Sequence, residues 1–575
     1  MTRPFSSTAL ALSSATLILA LLLHAPSLAI AAAQQPAPSG PQPTVLSAEG
    51  QTELRTIVDS GNFVDLRWPN FSDYRGYVQE FYAYYQLSLP WVRDSRPTPQ
   101  ALSFIARFQS AELKGLNSDD YDGSRWDARL ALLAPATPHP KESDEIKFDV
   151  AITINAMRYI SDLHIGRVNP VKLAFNLDVD QKKLNLPEFL ERDVVDASDF
   201  ETVLNHVEPP FPGYWRTVNA LPAYRRLAKQ QPPPLPAVTT TVKPGGTYSG
   251  VPALADYLRL VGDLPQDAQI PSGSAIYQGP LVDAVKHFQA RHGMTPDGQL
   301  DAKTIEEMNV PFAKRLRQIE LTLERWRWMP ASLGPAPIVV NIPEFRLRAY
   351  DENFKIGLTM NVVVGKAYNH STPVFTGTMA YLIFRPFWNV PYSITKAEIL
   401  PALAKNPGYL DKESLEMVDA RQNPIAGPVT PDLIQQIRSG KILIRQKPGP
   451  KNSLGLVKFM FPNDYDVYMH DTPATSLFSR SRRDFSHGCI RLERPADLAV
   501  WVLRNNPGWD AARVRAAMNG TQDSLRVDLA KPIPVYIIYG TVVVDDTGTV
   551  HFFDDIYGHD GALEEALANG YPYPW

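Results

Sequence analysis

The sequence predicts an α+β chain of several domains, with a β-rich, sandwich-like unit in the C-terminal half beside mainly helical parts. Three observations carry that expectation. A chain of 575 residues is longer than one hydrophobic core organises, and such chains divide into about three or four domains. Helical spacing of apolar residues dominates to about residue 335 and gives way, from Ile338, to runs rich in β-branched residues. Proline-rich stretches at 34–43 and 230–236 separate periodic segments, because proline suits neither a helix interior nor an inner strand.

At the N-terminus, Arg3 is followed by an apolar stretch from Leu17 to Leu23 and by the small-residue run Ala29 to Ala33. Basic, then apolar, then small is the order of a secretory signal, which predicts export to the periplasm with residues 1–33 removed; the alternative is an uncleaved inner-membrane anchor facing the same compartment. Residues 34–44 read as a flexible spacer. Hydrophobic content is 44%, charged content 21% and formal net charge −4, which gives no polybasic excess and makes nucleic acid an unsuitable partner. Beyond Ala33 no apolar run is long enough for a further span.

Residues 45–235 read as a helical scaffold with aromatic clusters, such as Phe81 to Tyr85, and no arrangement suited to chemistry. His164 sits among apolar residues there and is expected to be structural. Residues 248–312 read as a small three-helix unit. Val285 and Phe288 share one helix face, and Asp297-Gly298 supplies the turn before the next helix. A connecting helix is expected over 313–335, its tryptophans packing rather than binding. The β-rich unit is placed at 336–515, interrupted at about 392–446 by a polar, lid-like helical insertion. A strand-rich tail is expected over 516–575, with a turn near Asp545-Asp546-Thr547-Gly548.

The chemistry concentrates around the one cysteine. An exported chain with a single Cys makes no internal disulfide, so Cys489 is either buried filler or a working thiol. Its neighbours favour work. Tyr468-Met469-His470-Asp471-Thr472-Pro473 is followed by Ser486-His487-Gly488-Cys489-Ile490-Arg491. A thiol attacks an amide as thiolate, which needs an imidazole or a positive field beside it and donors for the developing oxyanion. His470 lies upstream by a distance a hairpin spans, His487 falls on the same side of an extended segment as Cys489, and Gly488 permits a tight bend.

These residues resemble the catalytic signature of the L,D-transpeptidases: a distal His, then Ser-His-Gly-Cys, then Arg two places on. Arg385-Pro386-Phe387-Trp388-Asn389-Val390-Pro391 resembles the family's Trp-containing strand exit, and 248–312 resembles the peptidoglycan-binding module of wall enzymes. The domain order resembles the large Gram-negative branch. The resemblance implies Cys489 as nucleophile and His470 as general base, with Ser486, His487, Gly488 and Tyr468 in support. It further implies oxyanion donors from Gly488, Cys489 and Tyr468, and substrate contacts from Arg491 and Trp388. The His-Asp-Thr-Pro form departs from the His-Gly or His-Ser of smaller members and leaves the ring-orienting group open. For Arg491 an internal ion pair with Glu493 is an equal alternative, and for Arg480, Arg482 and Arg483 a solvated loop is the alternative to attracting acidic wall peptide.

The reaction implied is attack on the third residue of a tetrapeptide stem, release of D-alanine and transfer to a neighbouring stem's amine, giving a 3-3 cross-link without metal or cofactor. The partners implied are peptidoglycan stem peptides as donor and acceptor, other wall synthases and D,D-carboxypeptidases, and carbapenems as covalent inhibitors. Three rival readings use the same residues: a carboxypeptidase or amidase with water as acceptor, a wall-binding scaffold without activity, and a metallopeptidase ligated by His470, His487 and Cys489, for which no zinc-site spacing is present.

Overall fold

In a computed structural model the described residues are 42–134, 140–367 and 370–574. The proposed signal and most of the proposed spacer lie outside them. Residues Pro43–Trp575 form one unit. No helix among the described residues is long and apolar enough to cross a membrane.

The N-terminal half is built around helix Glu142–Ile165, whose side chains are buried on nearly every face. Three acidic residues in its first turn suit the positive end of the helix dipole, and Gly166 at φ +82° ends it. Burial inside such a shell leaves polar groups in need of partners. Asp149, for example, accepts from Tyr82 Oη at 2.7 Å and from the Trp91 amide at 2.8 Å. His164 is structural here, its ring nitrogens lying 2.6 Å and 2.8 Å from the carbonyls of Val207 and Lys182.

Residues 231–238 carry neither helix nor strand. Beyond them, helices Val251–Leu260, Pro280–Arg291 and Ala302–Met308 enclose a separate small core that includes Val285 and Phe288. Gln289 clasps the following turn, donating to Asp297 Oδ1 and accepting from the Gly298 amide at 2.8 Å. Helix Phe312–Arg327 then leads to the sheet. Trp328 behind it is buried and meets Phe175 edge to face at 5.5 Å, so it packs rather than binds.

The β-rich unit is a curled sheet whose strands, in chain order, are β1 (Phe175–Asn176), β2 (Ile338–Asn341), β3 (Arg346–Tyr350), β4 (Ile356–Gly365), β5 (Val374–Phe384), β6 (Val457–Met460), β7 (Met469–His470), β8 (Asp484–Ser486), β9 (Ile490–Leu492) and β10 (Leu525–Ile538). Neighbours run β6-β7-β9-β4-β3-β2-β10-β5, and β5 pairs β6 again, which closes the circuit; β1 adds to β5 and β8 to β4. Closure leaves these strands few free edges.

Three boundaries differ from the sequence expectation. The scaffold lends β1 to the sheet. The tail is not separate: β10 lies between β2 and β5, pairing with both. Its first half escaped notice because Pro532 and Pro534 and a register irregularity between Asp528 and Ile533 break the strand pattern. The insertion is not purely helical either. Its helical turns accompany an antiparallel sheet, Pro424–Ile425, Leu415–Val418, Leu443–Gln446 and Trp388–Asn389 in that order, over a small core of its own.

Candidate active site

Strand register builds the site. In β6, β7 and β9 the residues Phe459, Met469 and Ile490 are fully buried in the core and face one another across the ladder. Side chains alternate faces along a strand, so their neighbours Lys458, His470 and Arg491, which are also mutual partners, stand together on the opposite face. Two residues before His470 and Arg491, Tyr468 and Cys489 extend that face, and the Ile490 amide donates to the Tyr468 carbonyl at 3.1 Å. Five chemically capable side chains thus share one patch because of a period of two.

The imidazole of His470 is buried, and its Nδ1–H donates to the Asp471 carbonyl at 2.5 Å. That bond fixes the tautomer and leaves Nε2 as the acceptor. The ring-orienting group left open by the sequence is therefore a main-chain carbonyl. Asp471's own carboxylate is occupied elsewhere, accepting from the amides of Leu456 at 2.8 Å and Thr472 at 2.7 Å. Burial, with the Arg491 charge adding to it, pushes the His470 pKa down to about 3. Burial likewise pushes the Cys489 thiol up, against hydrogen bonds from Tyr468 and the positive charges of Arg491 and Lys458. At rest both groups are neutral, the imidazole held by Asp471 and the thiol donating weakly to the Asp466 carbonyl at 3.8 Å.

The loop carrying Cys489 is pinned by small polar groups. Ser486 Oγ donates to the Cys489 carbonyl at 2.6 Å and accepts from the Gly488 amide at 3.2 Å. Thr372 Oγ1 donates to the Gly488 carbonyl at 2.7 Å and accepts from the Gly365 amide at 2.9 Å. Tyr557 Oη, from the C-terminal segment, donates to the Gly365 carbonyl at 2.6 Å. Gly365 has to be glycine, since a Cβ there would lie 1.8 Å from the His370 carbonyl oxygen. Gly488 adopts φ +116°, a conformation side chains rarely tolerate.

Two residues with expected roles have other contacts. The Gly488 amide, expected as an oxyanion donor, donates to Ser486 Oγ. Trp388 stands at the root of the insertion, pairing with Gln446 and packing on the insertion's core, and does not line the Cys489 cleft. For Arg491 the ion-pair alternative fails: Glu493 is taken by the Asn361 amide at 2.9 Å and Asn361 Nδ2 at 3.0 Å. Arg491 has no carboxylate partner among the described residues, and its Nε is buried without one.

Residues 335–537 match the YkuD family model, described as the L,D-transpeptidase catalytic domain. The chain carries an L,D-transpeptidase catalytic domain. Residues 76–221 match a "Scaffold domain" and 247–308 a "Putative peptidoglycan binding domain". A protein of Haemophilus influenzae named "Putative L,D-transpeptidase" is 28% identical over 304 residues, which is 52% of this chain and 58% of that protein. The chain thus spans less than two thirds of that relative's length. Among solved structures, the L,D-transpeptidase (residues 123–326) of Xylanimonas cellulosilytica is 14% identical, with 53% of this chain and 100% of that one covered and a TM-score of 0.15. A fused zinc-dependent amidase/peptidase/peptidoglycan-binding protein of Clostridium acetobutylicum is 13% identical, with 52% and 99% covered and a TM-score of 0.14.

In the L,D-transpeptidase domain Cys489 opens on a cleft of about 330 Å³ lined by His370, Tyr465, Asp466, Val467, His487 and others. His487 is a third exposed, and its Nε2 lies 3.0 Å from Glu398 Oε1 of the insertion. Its ring meets that of His370 at 4.8 Å. Sequence reasoning missed Lys458, Thr372, Glu398 and Tyr557. Each is remote in sequence from the Ser-His-Gly-Cys run, and only Lys458 carried a local signal, a cation within an apolar strand.

Proposed function

We propose that this protein is an exported enzyme that forms 3-3 cross-links between peptidoglycan stems through a thioester on Cys489. The observation that carries this reading is the shared face of β7 and β9, which gathers Tyr468, His470, Cys489 and Arg491, with the Asp471 carbonyl holding His470 Nδ1–H so that Nε2 is left to accept a proton. Cys489 attacks the carbonyl of the third residue of a tetrapeptide donor while its proton moves to His470 Nε2. Collapse of the tetrahedral intermediate breaks the bond to D-alanine, whose nitrogen takes that proton. The acceptor amine then attacks the thioester, gives its proton to His470, and the thiolate leaves and is reprotonated.

The Cys489 amide and Tyr468 stabilise the oxyanion, and the unpaired guanidinium of Arg491, with Lys458 beside it, receives a donor carboxylate. The His487–Glu398 contact supports a reading of the insertion as a cover that limits water, favouring amine over water as acceptor. Domains that act on and bind the wall support placement outside the cytoplasm. The same thiol is a target for carbapenem acylation.

The test is intact mass of the purified protein with a disaccharide tetrapeptide, followed by analysis of released muropeptides. An adduct lacking D-alanine, absent from Cys489→Ala, and subsequent 3-3 dimers are expected. Trimmed monomers alone would move the reaction to hydrolysis, and no adduct would remove Cys489 as nucleophile.

A further inference from the structure

A second cleft, of about 540 Å³, shares no lining residue with the one at Cys489. Four parts of the chain wall it: residues 290–296 and Lys303 of the peptidoglycan-binding unit, the turn into β3, the loop Ser479–Arg483 ahead of β8, and the C-terminal hairpin. The walls are fastened to one another. His292 stacks on Phe552 at 5.6 Å, and a Cβ on Gly293 would come within 3.1 Å of Phe553.

Arg483 is the unusual group. It is only 9% exposed, yet no carboxylate lies within ion-pair distance of it among the described residues. Its guanidinium donates instead to the carbonyls of Arg480 at 2.5 Å and Phe345 at 3.3 Å and to Asn361 Oδ1 at 3.3 Å, while Nε finds nothing. Burial and the nearby Arg346 charge pull its pKa down to about 10, against the more distant charges of Glu493 and Glu344. Arg346 is under-compensated too. Its nearest carboxylate, Glu344, is 3.8 Å away and already holds Arg348 through two bonds of 2.5 Å and 2.7 Å. Arg480 is exposed, rests on Phe485 at 5.2 Å and has no ion pair among the described residues. Three carboxylates also line the cleft, and each has another partner: Glu344 holds Arg348, Asp545 meets His551 Nε2 at 2.9 Å and Asp554 meets Lys303 at 3.7 Å. The like charges of Arg346, Arg480 and Arg483 therefore repel one another unless a further anion joins them, and guanidinium forks match carboxylates two bonds at a time.

We propose that this cleft is a second, non-reacting site that holds the carboxylates of a wall stem peptide between the peptidoglycan-binding unit and the L,D-transpeptidase domain, through Arg346, Arg480 and Arg483. The proposal rests on the wall-acting reading above. A strand gripped there is tethered to the enzyme while a different stem occupies Cys489, which raises the effective concentration of stems at the thiol. The solvated-loop reading of Arg480, Arg482 and Arg483 fits the exposed Arg480 and Arg482, the latter paired with Asp484, but not Arg483, which is inside.

The test compares the full chain with its Arg346→Gln/Arg480→Gln variant, both outside the catalytic face, for binding to isolated sacculi and to disaccharide tetrapeptide across a salt series. The variant is expected to bind sacculi at least about ten-fold more weakly, with a shallower salt dependence, while Cys489 acylation by the small tetrapeptide stays within about two-fold. Tetrapeptide with amidated carboxylates is expected to lose the arginine-dependent binding. Unchanged sacculus binding in the variant, or equal binding of amidated peptide, overturns the site. Arg483→Lys separates charge from shape and is expected to fall between variant and parent. Parent protein that binds sacculi through these arginines yet is never acylated would sink the catalytic reading and leave the cleft standing.

Discussion

His470 and His487 belong to the same short signature, yet the molecule holds them in opposite ways. His470 is 4% exposed, on a strand paired on both sides, its ring fixed by a main-chain carbonyl. His487 is a third exposed at the rim of the cleft, and its partners are Glu398 of the insertion and the ring of His370. The first arrangement cannot change without unpairing the sheet; the second changes whenever the insertion moves. The contrast teaches that the chemistry is tied to strand register and that access to it is tied to a contact worth little in stability, since exposed ion pairs contribute about 0–1 kcal/mol.

The comparison can be broken most sharply at His470. In His470→Gln the rate of Cys489 acylation is expected to fall by about 10²–10⁴-fold with the fold retained, as measured by mass against time; a loss under ten-fold would remove the ring from the proton path. Next comes Gly488→Ala. Forcing a side chain to φ +116° costs about 1–3 kcal/mol, so the loop shifts and acylation drops about ten- to a hundred-fold, with circular dichroism unchanged.

A third test is pH. His470, held down to about 3 by burial and Arg491, stays neutral across the working range, and the Cys489 thiol is raised. The acylation rate is therefore expected to stay level from pH 6 to 9, because the neutral thiol and neutral imidazole that react are the populated forms throughout; an inflection close to 6.5 would show an exposed, charged ring instead. The stability linkage has a definite sign. A folded pKa below the unfolded one contributes stability above about 6.5 that is lost as pH falls toward 3, so parent and His470→Gln melting temperatures should converge in acid. The smallest effect is expected for Glu398→Gln: a change of no more than about five-fold in acylation, with faster amide exchange in the insertion and in the His487 loop. Slower exchange there would contradict the reading of the His487–Glu398 contact as holding the insertion over the cleft.

Much of this was legible because it is local. The Phe288-Gln289 and Asp297-Gly298 pairs forecast a helix and the turn that Gln289 clasps. Ser-His-Gly-Cys announced a thiol loop, and alternation in the β-branched runs announced strands. Trp388 shows the reach of such a pattern, which names a strand exit without saying whether the ring faces the cleft or the insertion's core, on which it packs.

By itself the sequence singled out Cys489 and His470 as candidates and determined the peptidoglycan-binding unit and the α+β division, because period, turn chemistry and a lone cysteine are properties of neighbouring residues. Tertiary structure decided the rest. It set Lys458 and Arg491 beside His470, gave the Gly488 amide to Ser486 and the Cys loop to Thr372, drew the tail into the sheet, and buried Arg483 without a carboxylate. Those outcomes depend on strand pairing and on contacts between segments hundreds of residues apart, and no local period encodes which distant partner a buried charge will meet or lack.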